Sequence, residues 1–111
     1  METNNSTRLR GMLGFAMRAG KLLIGADTVY ASLSRKGGTD VKLVVIPHDA
    51  SEGAKDKTIR RCAAHGVGYT VLDISASELG QLLGKLYAPS AVGVTDDNFA
   101  REILRAQGIE Q

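Results

Sequence analysis

The segment VKLVVIP, residues 41–47, constrains the fold more than any other part of the chain. It is almost wholly apolar and rich in β-branched side chains, the composition of a strand covered on both faces. Helices must therefore lie above and below the sheet to which it belongs. The rest of the 111 residues alternates helical and strand patterns in a way that supplies them.

Leu9, Met12, Leu13 and Ala16 fall at helical spacing, and Gly20 stands where that first helix would stop. KLLI, residues 21–24, is long enough only for a short strand. Ala26, Val29, Tyr30 and Leu33 predict a second helix, opened by Gly25 and fading into the turn KGGTD. Asp49 or Ser51 can cap a third, with a narrow apolar seam of Ile59, Cys62 and Ala63 and an end at Gly66. VGYTVL then reads as a strand. Ser75 and Glu78 stand at capping-box spacing before Leu79, Leu82, Leu83 and Leu86, which predicts a fourth helix. After YAPS comes a last strand, AVGVT. Asp96 and Asp97 favour the positive end of a fifth helix that buries Phe99, Ile103 and Leu104. The expected fold is a single-domain three-layer α/β/α sandwich, with a four-stranded mixed sheet and about five helices. The domain should span residues 8–107, with METNNST, residues 1–7, left loose.

No apolar h-region and no run of eighteen apolar residues occurs, so neither a signal peptide nor a membrane span is expected. The single cysteine, Cys62, cannot form an intramolecular disulfide, which agrees with a reducing, cytoplasmic setting. Net charge is +2, unevenly divided: residues 1–46 hold seven basic groups against three acids, and residues 47–111 seven against nine. Such asymmetry suits an anionic partner at one face, although basic side chains that only solubilise helix surfaces would give the same count.

Chemistry that would make the chain an enzyme is not assembled. Cys62 and His65 lie one helical turn apart, yet Cys62 shares a stripe with Ile59 and Ala63 and reads as core filler. His48 follows the long strand, where α/β proteins often place ligand contacts. It reads as a loop residue, and Asp49 beside it as a helix cap. No phosphate loop or dinucleotide fingerprint follows a strand, and no histidine, cysteine or carboxylate set has metal-ligand spacing. Neither a cofactor, a metal nor a small-molecule substrate is expected.

Three stretches, LGFAMRAGKLLIGADTV, VKLVVIPHDASEGAKDKTIRRCAAHGV and SELGQLLGK with AVGVTDDNFAREIL, resemble the ribosomal L-seven-Ae and L-thirty-e family, especially its bacterial YlxQ-like branch. The likeness runs over about residues 8–106, with RAGKL followed by glycine three residues on, and ELGQLLGK, as its most specific pieces. It implies an α/β/α sandwich that binds structured RNA, ribosomal RNA among the candidates, without catalysis. Many members bind kink-turns, where tandem guanine–adenine pairs sharply bend a helix.

The resemblance also implies a site. The helix start matched by Gly25 and Ala26 would enter the RNA groove, with Asp27 and Thr28 at the edges of the guanine–adenine pairs. Gly25 would let backbone N–H groups approach acceptors that a side chain would hold away. Arg18 and Lys21 would neutralise phosphates. The loop KLYAPSA would close over an extruded base, with Leu86 and Ala88 packed on it, Tyr87 stacked and Lys85 on the neighbouring phosphate. By spacing alone, Leu86 equally suits the core of the fourth helix. The chain departs from the family where members most often carry Asn, Glu and a later Lys: those places hold Asp27, Thr28 and Ala31. Asp27 accepts but cannot donate, Thr28 is short, and Ala31 is uncharged. Two functions fit these residues, a structured-RNA binder or a protein–protein adaptor that kept the sandwich. An RNA binder should gather Arg18, Lys21 and Lys85 around one cleft.

Overall fold

The computed structural model describes residues 2–108. In chain order the elements are α1 (Glu2–Arg18), β1 (Leu22–Ile24), α2 (Ala26–Leu33), β2 (Leu43–Pro47), α3 (Glu52–Ala64), β3 (Gly68–Leu72), α4 (Ala76–Leu82), β4 (Val92–Val94) and α5 (Asp97–Ala106). The sheet order is β1-β4-β2-β3, with β4 antiparallel to both β1 and β2, and β2 parallel to β3. This is the expected sandwich on a mixed sheet.

All five residues of β2 are buried, as its composition requires. Strand alternation sends Leu43 and Val45 into a core with Leu9, Leu13, Leu79 and Ile103, under α1, α4 and α5. Val44 and Ile46 face the other way, into a core with Val29, Tyr30, Leu33 and Cys62 of α2 and α3. The parallel register gives the edge strand β3 the same two faces: Thr70 and Leu72 turn inward while Tyr69 and Val71 stay exposed. The outer side of that edge is partly covered by Gln107, which donates to the Val71 carbonyl at 2.8 Å and to Thr70 Oγ1 at 3.1 Å.

Helix starts follow local chemistry with two exchanges of partner. Ser51 caps α3 by accepting from the Ala54 N–H at 3.1 Å. Asp49 instead accepts from the N–H of Ala76, the first residue of α4, at 2.8 Å, so it serves a helix start other than the one next to it in sequence. Ser75 caps α4 and Asp96 caps α5. Glu78 does not turn back to close a capping box; its Oε2 accepts from Arg10 Nε at 2.7 Å and ties α4 to α1. Together with the Arg8–Glu102 pair at 3.1 Å, this anchors α1, which begins at Glu2 rather than after a loose segment over residues 1–7. Met1 lies outside the described residues.

Candidate functional site

At Gly25, β1 becomes α2 with φ 105° and ψ 143°, a conformation essentially closed to other residues. No side chain caps this helix start, and a β-carbon on Gly25 would meet nothing within 4 Å. The first N–H groups of α2 therefore open onto free space, where the helix macrodipole favours an acceptor or an anion. Asp27 and Thr28 are exposed beside them. The Asp27 carboxylate in the first turn adds its own favourable term to the helix.

The Gly25 N–H donates to the carbonyl of Ala91 at 2.9 Å, which fastens the loop between α4 and β4 to the start of α2. That loop bears four of the predicted residues. Lys85, Leu86, Tyr87 and Ala88 line a recess of about 320 Å³ together with Ser77 and Gln81 of α4. Leu86 is 106% exposed and Tyr87 53%, so neither belongs to the core. The helical spacing that carried the fourth helix on to Leu86 fails because α4 stops at Leu82. Gly84, at φ 72°, turns the chain, and the Lys85 N–H donates to the Gly80 carbonyl at 2.8 Å.

Sequence reasoning missed the residue that seats this loop. A β-carbon on Gly80 would fall on the carbonyl oxygen of Tyr87, so only glycine lets the loop lie directly on α4. A glycine inside a short helix, away from its end, was the available signal.

Arg18 and Lys21 are not drawn into the same place. The Lys21 carbonyl accepts from the Thr95 N–H at 2.9 Å, at the end of the β1–β4 pair opposite to Gly25 and Ala91. Four residues of extended chain separate Lys21 from Gly25, on the order of 13 Å. Alternation along β1 puts Lys21 on the α2 face with Leu23, since Leu22 and Ile24 join the opposite core. Arg18 lies at the end of α1, its guanidinium 4.8 Å from the ring centroid of the exposed Phe15. The recess lined by Lys85 includes neither Arg18 nor Lys21, and the Arg18 guanidinium turns back along α1 onto Phe15. The basic surplus of residues 1–46 is also partly spent within the fold, since Arg8, Arg10 and Arg35 pair with Glu102, Glu78 and Asp40.

The competing enzymatic residues have plain roles. Cys62 is fully buried, and desolvation pushes its thiol up to about 11, which keeps it protonated and unreactive near neutrality. His65 caps the end of α3 through its backbone, and its ring is not drawn against Cys62 as a base would be. Among the described residues no group of three or more histidines, cysteines or carboxylates is placed to hold a metal. Among the described residues no helix is long and apolar enough to cross a membrane.

Residues 7–104 match the ribosomal protein L7Ae/L30e/S12e/Gadd45 family. The chain belongs to this family. It is 32% identical over 103 residues to the RNA-binding protein YlxQ of Enterococcus faecium, covering 92% of this chain and 93% of that one. It is 33% identical to the RNA-binding protein YlxQ of Bacillus subtilis, covering 84% and 88%. Among solved structures it is similar to a protein of unknown function from Bacillus halodurans, with a TM-score of 0.78, 27% identity, and coverage of 89% and 95%. The 15.5kD RNA binding protein of Giardia lamblia shares the fold, with a TM-score of 0.70 at 17% identity and coverage of 95% and 86%. In the family's frame, the start of α2 and the end of the α4–β4 loop are two segments distant in sequence that meet where the β1–β4 ladder runs on into the Gly25–Ala91 hydrogen bond.

Proposed function

We propose that this chain is a small, non-catalytic RNA-binding protein of the cytoplasm that recognises kink-turn RNA within the translation or ribosome machinery, ribosomal RNA being its first candidate partner. The observation that carries this reading is the Gly25–Ala91 hydrogen bond, because it ties the uncapped start of α2 to the end of the loop that also bears the exposed Leu86 and Tyr87. A helix N-terminus suits base-edge acceptors, and apolar and aromatic side chains on a rigid loop suit an unstacked base. Gly25 and Ala26 offer backbone donors, Asp27 accepts from a guanine N–H, and Thr28 supplies a short hydroxyl. Leu86, Tyr87 and Ala88 receive the extruded base, Lys85 takes its phosphate, and Lys21 takes a phosphate farther along α2. Arg18 keeps at most a peripheral contact.

The test is a set of four affinities at one fixed salt concentration. The natural chain and the Asp27→Asn, Thr28→Glu variant are each titrated with a kink-turn and with the same RNA carrying Watson–Crick pairs in place of guanine–adenine pairs. The natural chain should prefer the kink-turn about tenfold or more, each specific contact being worth roughly 1–3 kcal/mol. The variant should widen that gap, since the amide adds a donor and glutamate adds reach. Equal binding to both RNAs would overturn kink-turn recognition; no binding to either would favour an adaptor.

A further inference from the structure

We infer that the outer face of α3 is a second phosphate-contact surface, on which Lys57 and Arg61 hold RNA that lies across α2. The inference rests on the RNA-binding reading above and adds a part of the footprint outside the α2 start and the Lys85–Ala88 loop.

α2 and α3 lie side by side on one face of the sheet, packed through a shared core. One tie between them is Tyr30, whose hydroxyl shares a buried hydrogen bond of 2.6 Å with Thr58 Oγ1. The ring held in this way carries two cations: Lys57 Nζ is 5.3 Å from its centroid, and the Arg61 guanidinium carbon 4.6 Å. Lys57 and Arg61 stand four residues apart on α3, where like charges repel. Among the described residues neither has a carboxylate within 4.0 Å. Both belong to the lining of a recess of about 500 Å³, shared with Gly53, Asp56 and Arg60. Asp56 is the carboxylate of that lining, and it is engaged by Arg60, which leaves the other two charges uncompensated.

Two unpaired cations fixed on one ring beside an open recess are complementary to a phosphodiester, which would relieve their repulsion. α2 cannot supply that charge itself, since across Ala26–Leu33 its single ionic side chain is Asp27. A backbone lying over α2 must therefore be neutralised from its flanks, by Lys21 on the β1 side and by Lys57 and Arg61 on the α3 side.

The experiment compares salt dependence of binding to a kink-turn RNA with two full duplex arms. Four proteins are used: the natural chain, Lys57→Gln with Arg61→Gln, Lys57→Arg with Arg61→Lys, and Arg101→Gln on α5 as a charge control. Each lost phosphate contact should lower the slope of log affinity against log salt by about 0.9 or less. The glutamine pair should therefore weaken binding and flatten the slope by about 1 to 1.8 units, which shrinks the loss between 50 and 200 mM salt roughly four- to twelvefold. The charge-keeping pair and Arg101→Gln should retain the natural slope. A glutamine-pair slope equal to that of Arg101→Gln overturns the α3 surface and leaves recognition through α2 standing. Equal flattening in the charge-keeping pair also overturns it, because loss of packing on Tyr30 would then be the cause. A natural chain that binds no RNA takes both readings down together.

Discussion

Gly25 has two duties that no other side chain could combine: it takes a backbone conformation closed to L-residues, and it leaves the space before α2 empty. The first duty was invisible in the sequence, where GAD could equally open a helix in an ordinary cap. Only the second was legible, through the rule that glycine at a helix start exposes N–H groups. Cys62 shows the opposite case, since its apolar stripe with Ile59 already argued for burial. Its buried thiol has a consequence for stability at high pH. The folded group is held at about 11 against an ordinary value of 9.0, so the unfolded chain loses its proton first as pH rises. The folded state therefore loses stability as pH rises through those values, by on the order of 3 kcal/mol at most, and essentially none below pH 8. Denaturant titrations from pH 7 to 11 on the natural chain and Cys62→Ser should show that decline only in the former. Parallel curves would deny the thiol any part in it.

At the scale of elements, the helix starts were the most readable feature, because caps act within three or four residues. What escaped was which cap serves which helix: Asp49 crosses to α4 and Glu78 crosses to Arg10, and neither choice is encoded in local spacing. The loop after α4 was misread in part for a similar reason. Leu79, Leu82, Leu83 and Leu86 keep a helical rhythm, but Gly84 ends the helix and turns Leu86 out to solvent. The loop's place depends on Gly80. Gly80→Ala should push the Tyr87 carbonyl away from α4, cost about 1–3 kcal/mol as overpacking does, and disturb Lys85–Ala91 first. Thermal unfolding gives the cost, and amide chemical shifts locate it. An unchanged melting temperature with unmoved loop shifts would show that the close approach is not required.

For the whole molecule, the sandwich and its strand count were legible because VKLVVIP demanded cover on both faces and the flanking periodicities provided it. Strand order was not, since alternating patterns do not say which strands pair. Charge was the least legible property at this scale. The linear surplus in residues 1–46 is dispersed by pairs that reach across the fold, while the two cations on Tyr30 come from the half with the acidic balance. The order that the sequence withheld places β4, Val92–Val94, between β1 and β2. A nascent chain leaving the ribosome has therefore completed its first three strands before the one that joins β1 to the others has been made. Until then β1 has no partner on either side, and the cores on both faces lack Val92, Val94 or Ala91. Chains ending at residue 90 should stay sensitive to protease and show no cooperative melt, whereas chains ending at residue 108 should resist and melt sharply. Protection that builds up gradually with chain length would disprove this. Otherwise the protein is synthesised almost to its last helix before its sheet can close, and through that interval the unpaired β1 depends on the speed of translation and on whatever shields emerging chains.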